Sequence, residues 1–102
     1  MDGAFQHTLK SGSAPAYFSP VLKALWIAAK GDLEAALTIL RPLNGTDVAW
    51  VRAHVHRARG EIEAAQQCYS RARKTMPRIS VDRESNLIGN ILLATPDFAV
   101  LV

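Results

Sequence analysis

Few residue types in this chain can do chemistry. Three histidines (His7, His54, His56), one cysteine (Cys68) and nine carboxylates stand among 102 residues. His54 and His56 are the nearest pair. Metal ligands on a helix share a face at i, i+4, whereas i, i+2 points these two apart. His54 is therefore expected as a polar surface residue, and His56 as a helix-face neighbour of Arg52 and Arg59. Cys68 lies inside a helical pattern, away from a helix start that would lower its thiol pKa, and reads as a small buried side chain. Ser70 and Ser85 lack the flanking glycines of a nucleophile elbow. There is no GxGxxG, phosphate loop or paired-cysteine zinc motif. Asp32 and Glu34, like Glu61 and Glu63, are accounted for by helix starts. The expectation is no catalytic residue, no metal and no cofactor. A small enzyme or metal-binding protein stands as the last of three readings.

Charge gives the second reading. The net charge is +3, but residues 49–78 carry seven bases (Arg52, Arg57, Arg59, Arg71, Arg73, Lys74, Arg78) against Glu61 and Glu63. Residues 1–48 are neutral in sum and residues 79–102 are net −2. Arg52, His56 and Arg59, at i, i+4 and i+7, form a basic stripe on one helix. A segment this basic, 52–78, suits an anionic partner or nucleic acid. No aromatic stacking platform accompanies it, so the solvated-surface reading is preferred and nucleic acid is not expected.

The elements that position these residues are set by a repeat. Gly31-Asp32-Leu33-Glu34-Ala35-Ala36 recurs as Gly60-Glu61-Ile62-Glu63-Ala64-Ala65, a spacing of 29 residues. A period in this range marks stacked supersecondary units. Each unit reads as two helices around its glycine, which ends the first helix because it takes the left-handed conformation cheaply. Ser19 caps the first unit, with Pro20 at the first helical position. Val21, Leu22, Leu25, Trp26 and Ala29 form its apolar stripe, and Leu33, Ala36, Leu37 and Leu40 the buried face of its second helix. The second unit starts at Thr46 or Asp47. It carries Val48, Val51, Val55 and Ala58, then Ile62, Ala65, Tyr69, Ala72 and Met76, with Pro77 as the stop. Small residues at Ala53, Ala65 and Ala72 let helices approach closely.

At these positions the chain resembles the tetratricopeptide repeat family. Ala65-x3-Tyr69 followed by Pro77 matches the second half of that family's pattern, Trp50 stands near the place of its tryptophan, and the first unit keeps Ala36-x3-Leu40. The resemblance covers about residues 19–77. It implies an all-α fold of antiparallel helical hairpins, two repeats of an α–α superhelix. It also implies a non-enzymatic protein-interaction module whose first helices line a peptide groove. Carried over residue by residue, it makes Trp50, His54 and Arg57 groove candidates, with Val21 and Leu25 from the first unit; Trp50 reads equally as a core tryptophan. The implied partner is a protein or peptide, a second copy of the chain included.

Two repeats leave stacking faces exposed, so the ends are expected to cover them. The chain is read as one domain, 1–102: a flexible lead over 1–18, repeats over 19–43 and 46–77, a capping helix over 81–94 packed on the last repeat, and an apolar tail over 95–102. Phe5, Tyr17 and Phe18 are candidates to anchor the lead. Ser80 caps the third region, where Leu87, Ile88, Ile91 and Leu92 form the stripe. Phe98, Val100, Leu101 and Val102 in the tail are candidates for folding back or for self-association. No apolar run approaches a membrane span, and the N-terminus lacks signal-peptide order. With a single cysteine, this points to the cytoplasm.

Overall fold

The computed structural model describes residues 3–94, and every regular element among them is a helix. These are α1 (Ala4–Thr8), α2 (Pro20–Ala29), α3 (Leu33–Leu40), α4 (Thr46–Ala58), α5 (Ile62–Arg71) and α6 (Val81–Ala94). The tail residues Phe98, Val100, Leu101 and Val102 lie outside the described part.

The 29-residue repeat is present in the backbone. The N–H of Asp32 reaches Ile27 O at 3.1 Å, and that of Glu61 reaches His56 O at 2.9 Å. Gly31 N–H donates to Ala28 O and Gly60 N–H to Arg57 O, both at 2.9 Å. Both glycines have positive φ, 104° and 82°. Each turn thus closes the last carbonyls of one helix and starts the next, giving the hairpins α2–α3 and α4–α5. Helix α4 packs on both α2 and α3, so the second hairpin stacks on the first.

Capping follows the side chains available. Ser19 Oγ accepts from Leu22 N–H at 3.3 Å, Asp32 Oδ1 from Ala35 N–H at 3.0 Å, and Ser80 Oγ from Arg83 N–H at 3.1 Å. At α4 the cap is Gly45 with φ 125°, one residue before the expected Thr46. Helix α5 ends at Arg71, short of Pro77, because Arg73 takes φ 59° and turns the chain away. The N–H of Lys74 returns to Tyr69 O at 2.9 Å, repeating the geometry of the glycine turns without a glycine.

The core runs through both hairpins. Leu25, Ala36, Leu40, Val51, Ala53, Val55 and Ala65 are fully buried, and Cys68 and Ala72 nearly so. Part of the segment read as a flexible lead belongs to the fold. Phe5 is fully buried and stacks on Phe18 with ring centroids 6.3 Å apart, while Tyr17 stays exposed. Helix α1 is tied down by Trp26 Nε1–H to Thr8 O (3.2 Å) and Lys30 Nζ to Leu9 O (2.9 Å).

Helix α6 departs most from expectation. It spans the expected residues but packs against α1, α2 and α4, across the first helices of both hairpins rather than on the last repeat alone. Its buried residues are Glu84, Ser85, Ile88 and Gly89, whereas Leu87 and Ile91 of the expected stripe are half exposed.

Candidate functional site

Trp50, His54 and Arg57 follow at i, i+4 and i+7 on one side of α4, where His54 and Arg57 meet Glu84 of α6. His54 is not a surface residue: it is 2% exposed. Its Nδ1–H donates to Glu84 Oε1 at 2.7 Å. Arg57 Nη1 donates to the same oxygen at 2.9 Å, and its Nη2 donates to Ile79 O in the chain leading to α6. Tyr69 Oη, from α5, donates to Glu84 Oε2. Glu84, 1% exposed, thus receives three side-chain donors from two helices of the second hairpin.

The electrostatics of this cluster follow from its geometry. Burial pushes the Glu84 pKa up. The bonds from His54 and Tyr69, the charge of His54 and the bond from Arg57 outweigh it, and the carboxyl is held below its ordinary value of 4.5. Burial and the Glu84 carboxylate beside it push the Tyr69 phenol well above its ordinary 10.0. A carboxylate held this way is stabilised as an anion and is a poor base. Neither Cys68 nor Ser70 shares a hydrogen bond with His54 among the described residues, and the bonds to Glu84 tie α6 to α4 and α5. No group of three or more His, Cys, Asp or Glu among the described residues could hold a metal ion.

The other sequence candidates are distributed as follows. Trp50 is 8% exposed and carries Lys74 Nζ over its ring, 4.4 Å from the centroid, so one face of the ring meets the charge while most of the side chain is buried. Leu25 is fully buried and Val21 half-buried on α2. The basic stripe lies on another side of α4. Arg52 Nη2 donates to Leu40 O at 2.7 Å, satisfying a carbonyl at the end of α3. His56 donates to Glu61 Oε1 at 2.8 Å, and Arg59 bonds Glu34 and, at 3.3 Å, Glu61. The His56 bond chiefly lowers the Glu61 pKa; desolvation opposes it, and the charges of Arg59 and His56 add to the lowering. The stripe therefore joins the two hairpins, and with Arg57 it takes three of the seven bases of residues 49–78 into the fold.

Sequence reasoning missed Glu84, an acid in the first turn of α6. The available signal was its spacing: Glu84, Ile88 and Gly89 form an i, i+4, i+5 face that can sit inward if a buried cation meets the acid. Arg57 and His54, three residues apart on α4, supply that partner.

These features define an all-α protein of stacked helical hairpins with a further helix laid across their first-helix face. Comparison with known protein families, curated proteins and solved structures finds no match to this chain. No helix among the described residues is long and apolar enough to cross a membrane.

Proposed function

We propose that the chain is a non-enzymatic protein-interaction module of tetratricopeptide type, and that its first-helix face receives an amphipathic helix carrying a carboxylate. The observation behind this reading is the seat of Glu84. His54 and Arg57, two residues that the family resemblance assigns to a peptide groove, hold the carboxylate of a helix lying across α2 and α4. In this chain the helix is its own α6. A partner helix, or the α6 of a second copy, competes with it for the same donors.

A tether gives α6 an effective concentration in the millimolar range, so a free helix competes poorly until that hold is weakened. The test uses the full chain and a labelled peptide of residues 79–94, followed by fluorescence anisotropy. The E84Q chain, with its own α6 loosened, is expected to bind the wild-type peptide about tenfold more tightly than the wild-type chain does. A peptide that itself carries E84Q should lose that advantage. An E84Q chain that keeps its helical circular dichroism and binds neither peptide counts against the reading. Molar mass by light scattering, measured over a concentration series, reports whether copies exchange α6.

A further inference from the structure

The end of α5 carries charge that the fold does not use. Between Glu63 and Asp82 there is no acidic residue, while Arg71, Arg73, Lys74 and Arg78 fall within eight positions. All four are exposed. None is in an ion pair with a described residue; Lys74 alone has a partner, the Trp50 ring. The C-terminal dipole of α5 accounts for about half a unit of negative charge, which leaves most of the positive charge unbalanced.

Two of these cations, Lys74 and Arg78, line a shaped surface. Gln66, Tyr69, Ser70, Lys74, Met76 and Arg78 are among the residues lining an open concavity of about 530 Å3. The left-handed turn at Arg73 folds the 72–78 segment back beside α5 and creates the hollow. Its floor is partly apolar, since Met76 packs on the core. Its rim is cationic, with Gln66 and Ser70 offering uncharged hydrogen-bonding groups. The ring beneath Lys74 Nζ restrains that side chain, so ordering it on an incoming anion costs less rotamer freedom.

We propose that this concavity is a docking site for an acidic peptide segment of a partner protein, with carboxylates on Lys74 and Arg78 and an aliphatic side chain on Met76. Charge complementarity selects an anion. A peptide fits better than nucleic acid on two grounds. Lys74 and Arg78 converge on one hollow rather than lining a track for successive phosphates, and the neighbouring aromatic rings, Trp50 and Tyr69, are buried and cannot stack with bases. The site shares Tyr69 with the seat of Glu84, but its test leaves Glu84, His54, Arg57 and α6 unsubstituted, so its failure and that of the α6 reading are distinguishable.

The experiment uses the full chain and a fluorescein-labelled nonapeptide, Glu–Glu–Leu three times over, read by anisotropy at low salt. Comparators are the Gln–Gln–Leu analogue and a labelled oligothymidylate of equal charge. The acidic peptide should bind about tenfold more tightly than the glutamine analogue, and salt should weaken it by screening. Lys74→Glu combined with Arg78→Glu should remove that difference. Arg78→Glu alone, which spares the Trp50 contact, should weaken binding several-fold. Arg41→Glu, an exposed charge on the first hairpin, should leave it unchanged. Three results would overturn the proposal: equal binding of the acidic and glutamine peptides, equal losses from R41E and R78E, or tighter binding of the oligothymidylate than of the peptide.

Discussion

Replacing Gly89 by alanine should destabilise the protein, although helix propensity alone points the other way. In an unconstrained helix interior the exchange is favourable by about 1 kcal/mol. Here a Cβ built on Gly89 would lie 2.1 Å from Phe5 Cγ and 2.4 and 2.5 Å from its two Cδ atoms. Ordinary contact begins near 3.4 Å, so the ring must withdraw by about 1.3 Å. It has little freedom to do so. Phe5 is fully buried, and its own N–H donates to Asn90 Oδ1 at 2.9 Å, on the same helix as Gly89. Trp26 and Lys30 hold the far end of α1. Overpacking of a tight core costs about 1–3 kcal/mol, and complete expulsion of a phenylalanine about 3–5 kcal/mol. After the propensity gain, a net loss of about 2 kcal/mol is expected. In urea, with a slope of about 1–2 kcal/mol per molar for a small domain, that lowers the midpoint by about 1 M or more. The decisive control is the Phe5→Ala background, where the ring is gone and the same substitution should become neutral or stabilising. Gly89→Ala that stabilises the wild-type chain, or costs as much without Phe5 as with it, would refute the packing argument.

Three further outcomes are expected. Glu84→Gln removes the charge that Arg57 and His54 meet inside the protein, and breaking a buried pair costs about 3 kcal/mol. Since the folded pKa of Glu84 lies below its ordinary 4.5, the unfolded chain takes up the proton first, so this contribution is complete above pH 4.5 and is lost as pH falls through the folded value. Urea midpoints measured from pH 7 to pH 3 should show a steeper acid limb for the wild type than for E84Q. Arg73→Gly relieves a left-handed residue of about 1 kcal/mol of strain and should raise the melting temperature, whereas Arg73→Ala, which loses the same charge and keeps the Cβ, should not. Gly60→Val forces a β-branched residue to φ 82° and should lower the melting temperature by several degrees, about 1–2 kcal/mol.

The hairpins were legible because their determinants are local. Gly31 and Gly60, followed by an acid and an aliphatic residue, specify the turn whatever packs around it, and Ser19-Pro20 and Ser80 announce helix starts. The end of α5 was misread for the same reason. Ala72 and Met76 continue the apolar period to Pro77, yet the chain leaves the helix at Arg73, a residue type that carries no signal for a left-handed turn. Helix α1 was hidden by its length: five residues do not hold a helix alone, and α1 exists because Phe5 has a place on Gly89. The spacing of the groove candidates was legible. Trp50, His54 and Arg57 do share one face of α4, but the sequence does not say which helix lies on it.

The orientation of α6 shows why that last step needed the structure. Its apolar period, Leu87, Ile88, Ile91 and Leu92, favours one face by hydrophobic burial alone. The observed inner face gives up much of the burial of Leu87 and takes in Glu84, Ser85 and Gly89 instead. Two contacts outweigh the lost area. Arg57 and His54 lie under the helix and need an acceptor, since a buried donor left unpaired costs about 1–3 kcal/mol. Phe5 needs a flat seat, which Gly89 alone on α6 provides. One rotation of α6 meets both demands, and it couples them. The same helix neutralises the first-helix face of the second hairpin and holds α1 against the first. Whatever removes α6 from α2 and α4 must therefore also loosen Phe5, so exposure of that first-helix face and release of the N-terminal helix are expected to occur as one event.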